Sequence, residues 1–284
     1  MIFIKILSIL VMLFYALGSA GVFWGIPAER YKILVLGKFF TWTGFALHTL
    51  LIISIILLNG ADDLSRGYFM QLLAWCILLA YFIGWRLLKS GFLSLTASPL
   101  ALLLFILALK VDKVQIEMPG TLKELFIALH IGPMYTSLGL LTLAFGAALL
   151  FLHMDRKIKS KTRLTEFDRG LPALGTYDRI NHLAVVFGFP LYTLGIAAGF
   201  IWAPLTWGRE GGILGSWDPK EIFSVFVWFL YASTFYLRIL RGWRGRKAAL
   251  LILFIFGISA FSLLGVNLFM PTHHSFGSLA TFTA

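Results

Sequence analysis

Residues 125–163 read LFIALHIGPMYTSLGLLTLAFGAALLFLHMDRKIKSKTR, and this stretch decides the fold class. Its first part, 125–153, contains no Asp, Glu, Lys or Arg. A helix that crosses a bilayer needs about 20 predominantly apolar residues, so this run is long enough by itself. Directly after it come Arg156, Lys157, Lys159, Lys161 and Arg163. An uncharged run closed by a dense basic patch reads as a transmembrane helix that ends at the face where positive charge is retained.

Working outward, the same kind of run recurs at 2–24, 39–59, 68–87, 91–109, 180–205, 221–240 and 248–270. Hydrophobic residues make up 59% of the 284 and charged residues 13%, with a mean hydropathy of +0.88. A soluble domain needs far more charge to cover its surface. The expected fold class is therefore an all-α polytopic membrane protein of about eight transmembrane helices. Residues 1–124 form an N-terminal four-helix membrane segment, and 125–284 a second membrane domain carrying an outer loop at 202–221. No internal repeat or low-complexity segment interrupts the pattern.

The loops alternate in charge. The segments near 25–38, 86–90, 154–179 and 238–247 hold 17 of the 24 Lys and Arg residues. The remaining loops and the N-terminus hold only Lys5, Arg66, Lys110, Lys113, Lys123, Arg209 and Lys220. The positive-inside rule puts the first set in the cytoplasm. An even number of spans then leaves both termini on the non-cytoplasmic side. Reading the first run as a signal peptide cleaved near Gly18-Ser19-Ala20 would invert every later loop against its charge, so it is kept as a span. The net charge of +11 thus reports sidedness rather than nucleic-acid binding. Cys76 is the only cysteine, which excludes an internal disulfide, a CxxC redox pair and a CxxCH attachment site within the chain.

The outer loop between the sixth and seventh runs is unusual. Trp202, Trp207 and Trp217 fall within 16 residues, among Gly208, Gly211, Gly212 and Gly215. Tryptophans of this kind form an interfacial belt, or they build a flat platform for a planar apolar ligand. Asp218-Pro219-Lys220-Glu221 starts the next helix in either case, with Asp as N-cap, Pro in the first turn and Glu three residues on. Topology sorts the six histidines. His130 lies near the outer end of the fifth run, and His273 and His274 follow the outer end of the eighth. His48 sits near the middle of the second run, where a titratable group is a functional candidate or a partner in an interhelical hydrogen bond. His153 and His182 lie at inner helix ends and read as structural. Neutral imidazole ligates haem iron, and two such groups supply both axial positions.

Several motifs in order carry a resemblance. They are Gly188-Phe189-Pro190-Leu191, Thr193-Leu194-Gly195, Trp207-Gly208, Ser216-Trp217-Asp218-Pro219-Lys220-Glu221, Arg241-Gly242-Trp243-Arg244-Gly245-Arg246-Lys247, Gly265-Val266-Asn267-Leu268 and His274-Ser275-Phe276-Gly277. Over roughly 125–277 the chain resembles the haem-handling cytochrome c assembly family, the CcsA/ResC type with a tryptophan-rich WWD domain, related to CcmC and CcmF. The N-terminal third matches mainly in hydropathy. The resemblance implies that haem b is held at the outer face, with His130 and His274 as axial iron ligands and Trp202, Trp207, Trp217 and Asp218 around it. It implies a place in a bacterial cytoplasmic (inner) membrane or an equivalent energy-transducing membrane. It also implies a CcsB/ResB-type partner subunit, with which the chain would form a synthase that ligates haem to the CxxCH motif of apocytochrome c. Arg209 and Lys220 would pair with the propionates or simply snorkel to the interface.

Two departures stand out. The family usually reads W-G-x-x-W-x-W-D, whereas here the stretch from Trp207-Gly208 to Trp217 is longer and Gly215 stands where a tryptophan is expected. The helix after the loop commonly carries Leu-His-Leu-Arg near its end, and here the matching run is Phe235-Tyr236-Leu237-Arg238. An inner haem site would then be missing, or would use Tyr236 with His48. A membrane scaffold or regulator of haem synthesis, and a transporter of another amphipathic solute, are the alternative functions.

Overall fold

The computed structural model describes residues 2–25, 31–59, 66–88, 91–110, 125–207 and 218–269. Every element among them is helical. The helices are α1 (Ile2–Gly25), α2 (Tyr31–Asn59), α3 (Arg66–Leu88), α4 (Ser94–Lys110), α5 (Gly132–Lys159), the short α6 (Glu166–Gly170), α7 (Leu174–Trp207), α8 (Pro219–Ile239) and α9 (Arg246–Ala260). A 3₁₀ turn, Gly91–Leu93, leads into α4. A π-helical turn, Ile127–Ile131, leads into α5, and a second, Phe261–Gly265, follows α9 before a last turn at Val266–Phe269. Among the described residues, seven helices are long and apolar enough to cross a membrane, and α4, with 17 residues, is a shorter apolar helix beside them. The chain is a multi-pass membrane protein.

Hydrocarbon offers no hydrogen-bond partners, so each crossing satisfies its backbone internally as a helix. What then joins the helices is close packing at small residues and a few interhelical hydrogen bonds. Helices α1 and α2 run antiparallel along a stripe in which Gly18 faces Thr41, Gly21 faces Gly37 and Gly25 faces Leu34. A Cβ on Gly21 would lie 2.6 Å from the Gly37 Cα, so this contact exists only because neither residue has a side chain. The small residues near position 18 are therefore a packing face. The Ser19 and Ser98 hydroxyls bridge α1 to α4 at 2.9 Å. The backbone of α3 at Cys76 meets Gly139 of α5, and Gly84 meets Leu143, so these two helices run parallel.

The second half is held in the same way. The Ser137 hydroxyl donates to the Gly188 carbonyl at 2.8 Å, joining α5 to α7. The Tyr231 hydroxyl donates to the Ala184 carbonyl, and the Trp228 indole to Thr193 Oγ1, joining α8 to α7. Phe145 and Phe256 stack with ring centres 4.0 Å apart between α5 and α9. One hydrophobic core runs through both halves, from Val11 and Leu51 to Tyr231 and Ile252. Large apolar side chains such as Leu57, Trp24 and Phe229 face outward, as a lipid-facing surface requires.

The basic connector after α5 is shorter and more ordered than its composition suggests. Thr165 caps α6 in a reciprocal capping box with Asp168. The Asp168 carboxylate is buried and accepts from His153 Nε2 at 2.7 Å, from the Thr165 N–H at 2.9 Å and from the Thr165 hydroxyl at 2.8 Å. Lys157 Nζ lies 3.5 Å away. Burial alone pushes the carboxyl pKa up. The bonds from His153 and Thr165, together with the Lys157 charge, outweigh it and hold the group well below the usual carboxylate range. At the next basic turn, Asp178 Oδ1 accepts from the Gly245 N–H at 3.0 Å and from Arg238 at 3.2 Å, tying the α8–α9 connection to α7. Gly242 and Gly245 make this turn at φ of +64° and +66°, a conformation that disfavours residues with a Cβ.

Two outcomes follow. Gly21→Val should separate α1 from α2 and cost about 1–3 kcal/mol, read as a lower midpoint in thermal unfolding of the detergent-solubilised protein. Because the native pKa of Asp168 is depressed, its contribution is present above pH about 4 and is lost as the pH falls below that toward the native value. Asp168→Asn should be less stable than the parent at neutral pH, with the difference shrinking as the pH is lowered through this window in a matched pH series of unfolding midpoints.

Candidate functional site

Proline builds the corner at which His130 sits. Pro133 lacks an N–H, so the α-helical ladder cannot continue through the start of α5. The turn before it widens, with the Gly132 N–H bonding to the Ile127 carbonyl in the i→i+5 manner of a π turn. Such turns are frequent at functional sites, and this one carries His130 toward α7. There the imidazole lies over Gly199: a Cβ at that position would meet the ring Cε1 at 2.6 Å and Nδ1 at 2.8 Å. One turn earlier, the Gly195 carbonyl lies 2.6 Å from His130 Nδ1.

That contact settles the tautomer. A carbonyl oxygen only accepts, so Nδ1 must carry the proton and donate. In the neutral ring the lone pair then resides on Nε2, the arrangement found in metal-ligating histidines whose other nitrogen is anchored to the backbone. The Phe126 ring stacks on the imidazole with centres 4.8 Å apart, and Trp202 of α7 lies 5.7 Å beyond Phe126. Between them is a groove of about 110 Å³, lined by Leu125, Phe126, Leu129, His130, Ala198 and Trp202 among others. The arrangement can offer one imidazole nitrogen beside a flat aromatic wall. Among the described residues, no three His, Cys, Asp or Glu side chains converge as a metal cluster.

The helix that follows the tryptophan-rich loop begins as its sequence predicts. The Asp218 side chain accepts from the Lys220 N–H at 2.8 Å, and the Asp218 N–H donates to Glu221 Oε2 at 3.2 Å, a reciprocal capping box at the N-terminus of α8. Asp218 is buried in this role. Trp207 closes α7, its side chain lying outside the described residues; Arg209, Gly215, Trp217, His273 and His274 lie outside them altogether.

The family model for Cytochrome C assembly protein matches residues 8–274. This chain belongs to that family. Among its relatives, Cytochrome c biogenesis protein CcsA of Synechocystis sp. is 29% identical over 287 residues, covering 79% of this chain and 85% of its own. The CcsA of Chlamydomonas reinhardtii is 29% identical over 228 residues, covering 77% of this chain and 62% of its own. That of Synechococcus elongatus is 41% identical over a shorter stretch of 102 residues, 36% of this chain and 30% of its own.

In this member of the cytochrome C assembly family the remaining candidates are dispersed. His48 is fully buried, with Nδ1 2.9 Å from the Tyr15 hydroxyl and the Phe105 ring edge-on at 4.9 Å, so it joins α1, α2 and α4. Tyr236 is 46% exposed on α8. The His48 imidazole is thus enclosed by packing, and the Tyr236 phenol faces outward. His153 anchors Asp168, and His182 lies near the basic turn held by Asp178 and Arg238. Sequence reasoning missed Phe126, Pro133 and Gly199. The Gly195-Ile196-Ala197-Ala198-Gly199 run, a G-x-x-x-G within an apolar span, was the available signal for close approach at this face.

Gly199→Val should force the His130 ring off the Gly195 carbonyl. The expected cost is about 1–3 kcal/mol of stability. Nitrogen NMR of the isotope-labelled histidines should show the Nδ1-protonated pattern at His130 in the parent and its loss in the variant; an unchanged pattern would contradict the tautomer assignment.

Proposed function

We propose that this protein serves cytochrome c biogenesis as a haem-handling membrane subunit that presents haem b at its non-cytoplasmic face. The single observation that carries the reading is the His130 imidazole, fixed by the Gly195 carbonyl in the tautomer that leaves Nε2 as the ligand atom. Family membership and the CcsA relatives support a part in c-type cytochrome assembly. The charge distribution supports the topology, with both termini outside and the basic connectors in the cytoplasm.

The residues at the His130 site fit the group as one half of its surroundings. His130 would hold the iron through Nε2, and Phe126 and Trp202 would form a wall beside one edge of the macrocycle. A groove of about 110 Å³ takes only that edge, so the rest of the ring would lie against the loop that carries Trp207 and Trp217. His274 would hold the iron from the other side in this reading. When bound, haem supplies the iron and the vinyl groups that react with cysteine thiols; the chain supplies position and electrostatics. The Asp218 capping box fixes the start of α8 and so the far anchor of the loop. Arg209 and Lys220 bring positive charge to the outer side, where propionates would be held. A CcsB/ResB-type subunit and the CxxCH segment of apocytochrome c are the partners this role requires.

Purified protein should show the absorption spectrum of a low-spin, bis-imidazole haem, and His130→Ala combined with His274→Ala should abolish it. The same spectrum in the double variant would remove both ligand assignments. A second reading, a membrane scaffold or regulator of haem synthesis with the same fold, draws on Tyr236, which stands in place of a histidine and faces outward. It is separated from the first by deleting the gene: c-type cytochromes should disappear under the first reading and persist under the second.

A further inference from the structure

A second cavity lies in the other half of the bundle. It has a volume of about 130 Å³ and is lined by Lys38, Thr41 and Trp42 of α2, Phe82 and Trp85 of α3, and Ser94 of α4. Gly84 beside it packs on Leu143 of α5. Leu143 is 13 residues beyond His130 along one helix, or about 20 Å at 1.5 Å per residue. The cavity is therefore a separate site, at the end of the bundle where the last turn of α3 carries Arg86 and α5 runs into its basic connector.

Lys38 is its unusual member. It sits in the second turn of α2, inside the candidate span Lys32–Leu58, and is half-buried. A cation at this depth is ordinarily paired with an acid or drawn to a functional partner. None of the described carboxylates forms an ion pair with Lys38. The neighbouring Thr41 hydroxyl is committed to the Gly37 carbonyl at 3.0 Å, and among the described residues lining the cavity the Lys38 ammonium is the one charged group. Beside it is an aromatic shelf. Trp42 and Phe82 have ring centres 4.2 Å apart, and Trp85 meets Trp42 edge-on at 6.3 Å. Trp42 and Trp85 are 46% and 36% exposed, on the same outward surface as Phe39 and Leu36. The groove thus opens sideways, onto the surface that faces lipid, and what reaches it comes from the bilayer.

We propose that this groove binds an anionic glycerophospholipid, with its phosphate paired to Lys38 and its glycerol and upper acyl segments resting on Trp42 and Trp85. Tryptophan favours the headgroup level, and basic pockets between transmembrane helices select acidic headgroups. A lysine that merely snorkelled to water would need neither the shelf nor the cavity. The site is independent of the His130 groove and of any ligand held there.

The test uses the full-length protein, released from mixed vesicles of equimolar phosphatidylglycerol and phosphatidylcholine and examined by native mass spectrometry. The wild type should retain phosphatidylglycerol about fivefold over phosphatidylcholine, the effect of one basic residue at a charged headgroup. Lys38→Gln should bring the ratio to about one, while Lys38→Arg and the control Lys247→Gln should keep it. Equal retention by wild type and Lys38→Gln overturns the proposal, as does loss of selectivity in Lys247→Gln to the same extent. Excess inorganic phosphate should leave the ratio unchanged; if it abolishes the preference, the site recognises the free ion and the lipid assignment falls. Should Lys38→Gln fail to fold, quenching by phosphatidylglycerol brominated in its upper acyl chain decides. Quenching that drops in Trp42→Phe supports the groove, and quenching that is unchanged rejects it.

Discussion

Hydrocarbon accepts and donates no hydrogen bonds, and every feature of this protein answers to that constraint. Backbone groups are satisfied within helices. Side-chain hydroxyls find carbonyls on their own or neighbouring helices, as at Ser54, Ser137 and Tyr231. Where two helices must approach most closely, side chains are removed altogether, as at Gly21 and Gly37. Large apolar residues gain no hydrophobic driving force by turning inward here; some, such as Phe105 and Leu73, pack in the core, while others, such as Leu57 and Phe229, face outward. Small and polar residues therefore determine which helices meet.

The same logic shapes the His130 site. An imidazole placed in an apolar helical run needs a partner for its N–H. The partner can be a backbone carbonyl on α7 only because Gly199 leaves room for the ring against that helix. The π turn ahead of Pro133 supplies the rest, by shifting the histidine relative to the helix it precedes. Packing, hydrogen bonding and tautomer are thus one arrangement, and it leaves the chemically useful nitrogen as the lone-pair atom. His48 meets the same requirement differently, through the Tyr15 hydroxyl among closed aromatic packing, which suits an interhelical tie.

The two ends of the bundle are chemically distinct. At one end Asp168 and Asp178 are surrounded by His153, Lys157 and Arg238, and these pairs lock connectors onto helices. Lys38 belongs to this basic end but has no acid beside it among the described residues. The other end presents, among the described residues, Phe126, Trp202 and the capped start of α8.

The sequence by itself located eight apolar runs, because membrane thickness translates directly into run length. Among the described residues seven are helices long enough to cross and α4 is shorter, while α2 begins at Tyr31 rather than at 39 and α5 continues to Lys159 rather than 153. The helix bounds at Gly25, Asn59 and Lys110 lie within a residue of the runs that ended at 24, 59 and 109. It also specified the start of α8, since a capping box is a local device whose residues lie three apart. Tertiary structure alone decided which carbonyl holds that histidine, that Phe126 stacks on it, that Tyr236 and His48 have different surroundings, and that Lys38 sits beside a tryptophan shelf. These depend on how helices face one another. In a bilayer that choice rests on single small or polar residues, and hydropathy periodicity does not record them.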